Sequence, residues 1–161
     1  MEKEREEQVI SLCQKLIQQK SYSGEESGVV GVLSENMKQM GFDEVTVDKY
    51  GNIIGCIKGN RPGKKVLFDG HIDTVPVTEE AEWLYPPFAA EIHDGKIYGR
   101  GTSDMKGAVA AMTCAASNYA KDTGKDFAGE IYVAGVVHEE CFEGVAAREI
   151  SKNVRPDYVV I

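Results

Sequence analysis

Residues able to do chemistry gather at three places in this chain. "VLFDGHIDTVPV" (66–77) ends an apolar run with His71 and Asp73, Asp104 follows "YGRGTS", and Glu139 and Glu140 follow "IYVAGVV". His71 and Asp73 stand two positions apart, so on an extended chain they point to the same face. Neutral His71 can give a ring nitrogen to a metal while Asp73 holds the imidazole in the required tautomer. Asp104 opens a helical pattern, where the helix dipole favours an ionised carboxylate, and its two oxygens can bridge two metals. Adjacent glutamates on an extended chain do not share one orientation. One can therefore ligate a metal while the other takes a proton from metal-bound water. A His, Asp and Glu set without thiolates suits a divalent metal of borderline hardness, zinc first.

Each piece alone has an ordinary reading: a core histidine, a helix-start acid, a solvated pair of glutamates. Together they are more specific, because separations of 33 and 36 residues match one strand–helix unit or loop apiece and let the three places converge outside the strand ends. "GRGTSDMKG" places Asp104 where a dinucleotide fingerprint has its third glycine, and a carboxylate there repels a pyrophosphate. His138 with Cys141 could make a thiolate nucleophile and its base. The two neighbouring carboxylates discourage the thiolate, so Cys141 is expected to be a small packing residue and His138 a neighbour of the site. His93 reads as exposed, Lys106 and Arg100 as solvated cations, and Trp83, Pro86, Pro87 and Phe88 as loop packing.

The elements that must position these groups are legible from periodicity. Val9, Leu12, Cys13, Leu16 and Ile17 form one stripe of a helix over residues 4–20. Ser23 and Glu26 have capping-box spacing for a second helix, with Val29, Val30, Leu33, Met37 and Met40 inward and Gly41 as its stop. "EVTVDKY", "NIIGCIKG" and "KVLFDGHID" read as strands, and "EIHDGKIYGRG" as a short hairpin. A helix starts near Asp104, "EIYVAGVV" is a strand, "EGVAAREIS" a helix, and "DYVVI" a buried central strand. The alternation predicts an α/β fold with a mostly parallel sheet covered by helices, whose sites form outside the carboxyl ends of the strands.

The 161 residues suffice for one domain. With 18 Lys and Arg against 26 Asp and Glu, a net charge of −8 argues against nucleic acid or an anionic membrane as partner. The four widely spaced cysteines suggest neither disulfides nor a structural zinc site, and a reducing cytoplasm is the expected setting. The apolar run 158–161, with no polar tail after it, reads as a chain cut short, with a compact C-terminal edge strand as the other reading.

"GHIDTVP", "YGRGTSDMKG" and "HEE" resemble the signatures of the metallopeptidase family of aminoacylases, acetylornithine deacetylases, succinyl-diaminopimelate desuccinylases and carboxypeptidases. "VDKYGNIIGCIKGNRPGKKVLFDGHIDTVP" with "HEECFEGVAAREI" resembles the branch of selenium-metabolism hydrolases. The resemblance implies a zinc-exopeptidase-like three-layer αβα fold, incomplete at its C-terminal end. Residues 1–161 would be the N-terminal portion of the catalytic metal-binding domain, without the lid and dimerisation domain. It implies two Zn2+, with Co2+ or Mn2+ as substitutes. His71 would bind one metal and Asp73 orient it, Asp104 would bridge both ahead of a cis peptide to Met105, Glu140 would bind the second metal, and Glu139 would be the general base. His138 stands where many members have Asp. The implied reaction is hydrolysis of an amide bond in an N-acyl amino acid or short peptide, in a homodimeric full-length protein. This chain, with three of five protein ligands, is expected to be inactive as given. The alternative is a folded, non-catalytic fragment with weak metal binding or an interaction role.

Overall fold

The apolar stripe of the first segment forms α1 (Glu2–Gln18), which buries Leu12, Cys13, Leu16 and Ile17 in the computed structural model; the model describes residues 2–142 and 144–161. The second stripe forms α2 (Ser27–Gln39), with Val29, Leu33 and Met37 inward. The chain then turns at Gly41, where φ is 88° and a side chain would be strained. Strands β1 (Glu44–Val47), β2 (Ile53–Lys58) and β3 (Arg61–His71) follow, then the hairpin β4 (Glu91–His93) and β5 (Lys96–Tyr98). Helix α3 (Gly107–Thr123), strand β6 (Ala128–Val136), helix α4 (Val145–Val154) and strand β7 (Tyr158–Val160) complete the chain. Glu143, in the expected helix "EGVAAREIS", lies outside the described residues.

The main sheet has the order β1-β2-β6-β3-β7. β6 and β7 run parallel to β3, whereas β1–β2 and β2–β6 pair antiparallel. The parallel expectation holds only where a helix supplies the crossover. β1 and β2 are joined by a short turn, which can only reverse the chain. Helices α2 and α3 cover one face closely: a Cβ at Gly55 would stand 2.7 Å from Met37 of α2, and one at Gly70 would stand 3.0 Å from Met112 of α3. The opposite face, to which Leu67 and His71 point, carries α4, giving three layers. Among the described residues, no helix is long and apolar enough to cross a membrane.

Two expectations need correction. β7 is an edge strand, not a buried central one: Tyr158, Val159 and Val160 are each about half exposed. Asp104 does not open a regular helix. It sits in an irregular turn, Thr102–Lys106, ahead of α3, with φ −130° and ψ 97° and a cis peptide bond to Met105. Outside helical geometry the dipole argument no longer governs it.

Two strand ends position the site. β3 and β6 run parallel in a register that pairs His71 with Val136, so His71 and the residues just beyond β6 emerge side by side. The Thr102–Lys106 turn brings Asp104 over the same end.

Candidate metal centre

His71, Asp104 and Glu140 each offer one ligand atom, and these atoms lie within 4.8 Å of one another. His71 Nε2 is 2.8 Å from Asp104 Oδ1 and 4.0 Å from Glu139 Oε2. His71 is buried, while the Asp104 side chain is 77% exposed, so the cluster opens outward from the strand ends. The adjoining cavity of about 360 Å³ is lined by Asp69, His71, Asp104, Met105, Glu139 and Ala147, among others. A separate cavity of about 410 Å³, beside Phe68, Met112 and Tyr119, is largely apolar and holds no imidazole.

Asp73 organises the interior side of the cluster. It is fully buried. Its backbone carbonyl accepts from His71 Nδ1 at 3.0 Å, and its Oδ1 lies 3.5 Å from the same nitrogen. Nε2 is thereby turned toward the acids. The Asp73 carboxylate also accepts from Ser23 Oγ at 2.6 Å and from the Glu139 and Glu140 amides, each at 3.1 Å. Burial pulls the Asp73 pKa up, but the hydrogen bonds from His71, Ser23 and the two amides outweigh it and hold the pKa below the usual range. Burial likewise pulls the His71 pKa down, and the Asp73 and Asp104 carboxylates overcome this, pushing it up to about 9. For Glu140, burial and the neighbouring acids raise the pKa against the pull of His71.

These residues fit a divalent cation. One imidazole nitrogen and two carboxylates converge with no thiolate or ammonium among them, a donor set suited to zinc. The acids favour positive charge at Nε2, and a buried carboxylate fixes the imidazole from behind, as histidine ligands require.

The structure brings all five residues singled out in the sequence to one place: His71, Asp73, Asp104, Glu139 and Glu140. Several neighbours behave otherwise than expected. Ser23 and Glu26 form no capping box: Glu26 makes no side-chain cap, and Ser23 donates to Asp73 instead. Lys106 is not solvated. It is fully buried, its Nζ donating to the carbonyls of Leu16 (3.0 Å) and Gln19 (2.8 Å), because the last carbonyls of α1 lack helical partners. Burial lowers its pKa to about 8. Arg100 lies against Trp83, 5.1 Å from the ring centroid, and is only partly exposed. Cys141 is exposed, not packed. His93 is held by Glu91 (2.7 Å) and stacks on Tyr85 with centroids 3.8 Å apart.

Sequence reasoning missed Asp69 and Asn52, and read Glu26 only as a helix cap. Asp69 was findable by period: it lies two residues before His71, on the same face. Burial raises its pKa, against the pull of His71. Nothing in the linear pattern marks Asn52.

The family model described as peptidase family M20/M25/M40 matches residues 67–161. The succinyl-diaminopimelate desuccinylase of Vesicomyosocius okutanii subsp. Calyptogena okutanii (strain HA) is 37% identical over 115 residues, 70% of this chain and 30% of that protein. The M20 family metallo-carboxypeptidase from Sulfolobus solfataricus matches with a TM-score of 0.79 and 21% identity, over 94% of this chain and 36% of its own. A dinuclear metal-binding M20 peptidase of Bacillus subtilis matches with a TM-score of 0.69 and 17% identity, over 94% of this chain and 40% of its own. The two structural likenesses bear on the fold. The chain spans 30% of the length of the desuccinylase and 36–40% of the length of these two structures.

Proposed function

This chain belongs to peptidase family M20/M25/M40, and from that membership we propose that it carries the metal centre of a hydrolase cleaving the amide bond of an N-acyl amino acid or short peptide. The convergence of His71, Asp104 and Glu140 within 4.8 Å carries this reading. His71, through Nε2, and Glu140 would each hold a cation, and the Asp104 carboxylate would be shared between them. Such cations, when bound, polarise the scissile carbonyl and make water acidic enough to lose a proton near neutral pH. Zinc is favoured for both positions, with cobalt or manganese as substitutes.

The chain's own groups then divide the work. Asp73 keeps the His71 imidazole turned so that Nε2 faces Asp104 and the position a cation would take. Glu139, whose Oε2 stands 4.0 Å from His71 Nε2 and whose side chain is partly exposed, takes the proton from the attacking water and returns it to the leaving nitrogen. Substrates of the N-acyl amino acid and peptide classes are supported by the names of the desuccinylase and carboxypeptidase relatives. Cytoplasmic residence, a homodimeric full-length protein and a link to selenium metabolism belong to the same proposal and rest on the sequence features and likeness quoted above.

The test is zinc content by atomic spectroscopy after dialysis, together with turnover of N-succinyl and N-acetyl amino acids and dipeptides by the chain and by its full-length form. Stoichiometric zinc, lost in His71→Ala, supports the metal centre. Its absence overturns it. Zinc without turnover by either form favours the non-catalytic alternative.

A further inference from the structure

We propose that Glu26 and Asn52 are positioning residues that, with Asp73, hold the segment 137–140 in the path that presents Glu139 and Glu140 to the metal centre. The proposal rests on the function proposed above for those two glutamates.

The sheet ladder stops just before this segment. The last β2–β6 pair is Ile53 with Gly135, and the last β3–β6 pair is His71 with Val136. The next four amides therefore need acceptors from elsewhere, and side chains supply all four. Val137 N donates to Asn52 Oδ1 at 3.0 Å and His138 N to Glu26 Oε1 at 3.1 Å. Glu139 N and Glu140 N donate to the two Asp73 oxygens. The three acceptors come from separate parts of the chain: the β1–β2 turn, the residue before α2 and the end of β3. All three residues are buried, Asn52 and Asp73 fully and Glu26 to within 6%.

Two further observations show that this path is imposed. His138 has φ 58°, a left-handed conformation that costs a non-glycine residue energy and persists only where neighbours enforce it. Asn52 cannot be turned over, because its Nδ2 donates to Asp48 Oδ2 at 2.7 Å and to the Ala146 carbonyl at 3.0 Å. Its oxygen is thus committed to Val137, and the same side chain ties the segment to the first turn of α4. A buried amide left without its acceptor is costly, so losing Glu26 or Asn52 would let the corner relax and carry both glutamates with it.

The experiment compares the unsubstituted 161-residue chain with Glu26→Ala, Glu26→Gln and Asn52→Ala. Two quantities are read: amide hydrogen exchange of residues 137–140 without added metal, and zinc affinity by competition with a chromogenic chelator. Glu26→Ala is expected to speed exchange at His138, Glu139 and Glu140 and to weaken zinc binding about 10–100-fold, while the β3 amides keep their protection. Asn52→Ala is expected to do the same, beginning at Val137. Glu26→Gln keeps a carbonyl oxygen and is expected to restore both readouts. Should the alanine variants fail to fold, Glu26→Gln decides: native exchange and affinity support the proposal, and a loss of ~10-fold overturns it. Folded alanine variants with unchanged exchange and affinity also overturn it. If the unsubstituted chain binds no zinc, the metal-centre reading falls, while exchange, which needs no metal, still decides the positioning role.

Discussion

Asp73 meets four demands with one carboxylate: it accepts from Ser23 and from two consecutive backbone amides, and it faces His71 Nδ1. Asparagine has nearly the same shape but offers a single acceptor oxygen, so its NH2 must oppose at least one of those donors. Asp73→Asn is expected to weaken zinc binding about 10–100-fold and to lower the unfolding free energy by about 1–3 kcal/mol, read by chelator competition and urea titration. A second residue-scale prediction concerns Cys114, whose thiol is buried in α3 and pushed by desolvation up to about 11, against an opposing pull from Lys121. In the unfolded chain the thiol loses its proton near ~8.5. Between the two values the folded state binds more protons, so this contribution to stability is complete below the lower value and is lost as pH rises through the higher. Cys114→Ala removes that loss. Its unfolding free energy is expected to fall less steeply than the parent's between about pH 9 and 11, by at most ~1.4 kcal/mol per pH unit.

At the scale of elements, the site depends on two parallel strands ending at the same level and on a turn laid over them. β3 and β6 are held by register, with Leu67 and Val133 fully buried along them. The Thr102–Lys106 turn is anchored at its far end by Lys106, whose ammonium closes α1. β7 contrasts with these. It is an edge strand whose Tyr158, Val159 and Val160 are all about half exposed, with Ile161 beyond it 94% exposed. An exposed apolar edge invites pairing with another chain. The 161-residue chain is therefore expected to self-associate as its concentration rises, and Val159→Lys to suppress this, as measured by sedimentation velocity. Equal association by the variant would place the contact elsewhere.

For the whole molecule, the proposed cation ligands come from segments around residues 71, 104 and 140 that meet only in the native state, so cation binding is expected to be linked to folding. Saturating zinc is expected to raise the unfolding free energy, by about 2.7 kcal/mol at 100 times Kd. Chelator should reverse the rise in Tm, and His71→Ala should abolish it. The net charge of −8 assists the encounter with a cation, so the association rate should fall with added salt while the bound geometry persists.

Periodicity determined most of the helices and strands and the inward stripes of α1 and α2, because a buried stripe must repeat at 3.6 or 2 residues wherever it forms. His71, Asp73, Glu139 and Glu140 stood out as polar groups that end apolar runs, and Asp104 as an acid between "YGRGTS" and a helical pattern. Tertiary structure decided what depends on distant partners. It set the antiparallel pairing of β2 with β6, the edge position of β7 and the burial of Lys106 against the end of α1. It also sent Ser23 and Glu26 away from a helix cap, toward Asp73 and the His138 amide. For Lys106, Ser23 and Glu26 the physical reason is shared: an unpaired donor or acceptor is satisfied by whatever the fold brings within about 3 Å, and that neighbour is 50 or more residues away in the chain.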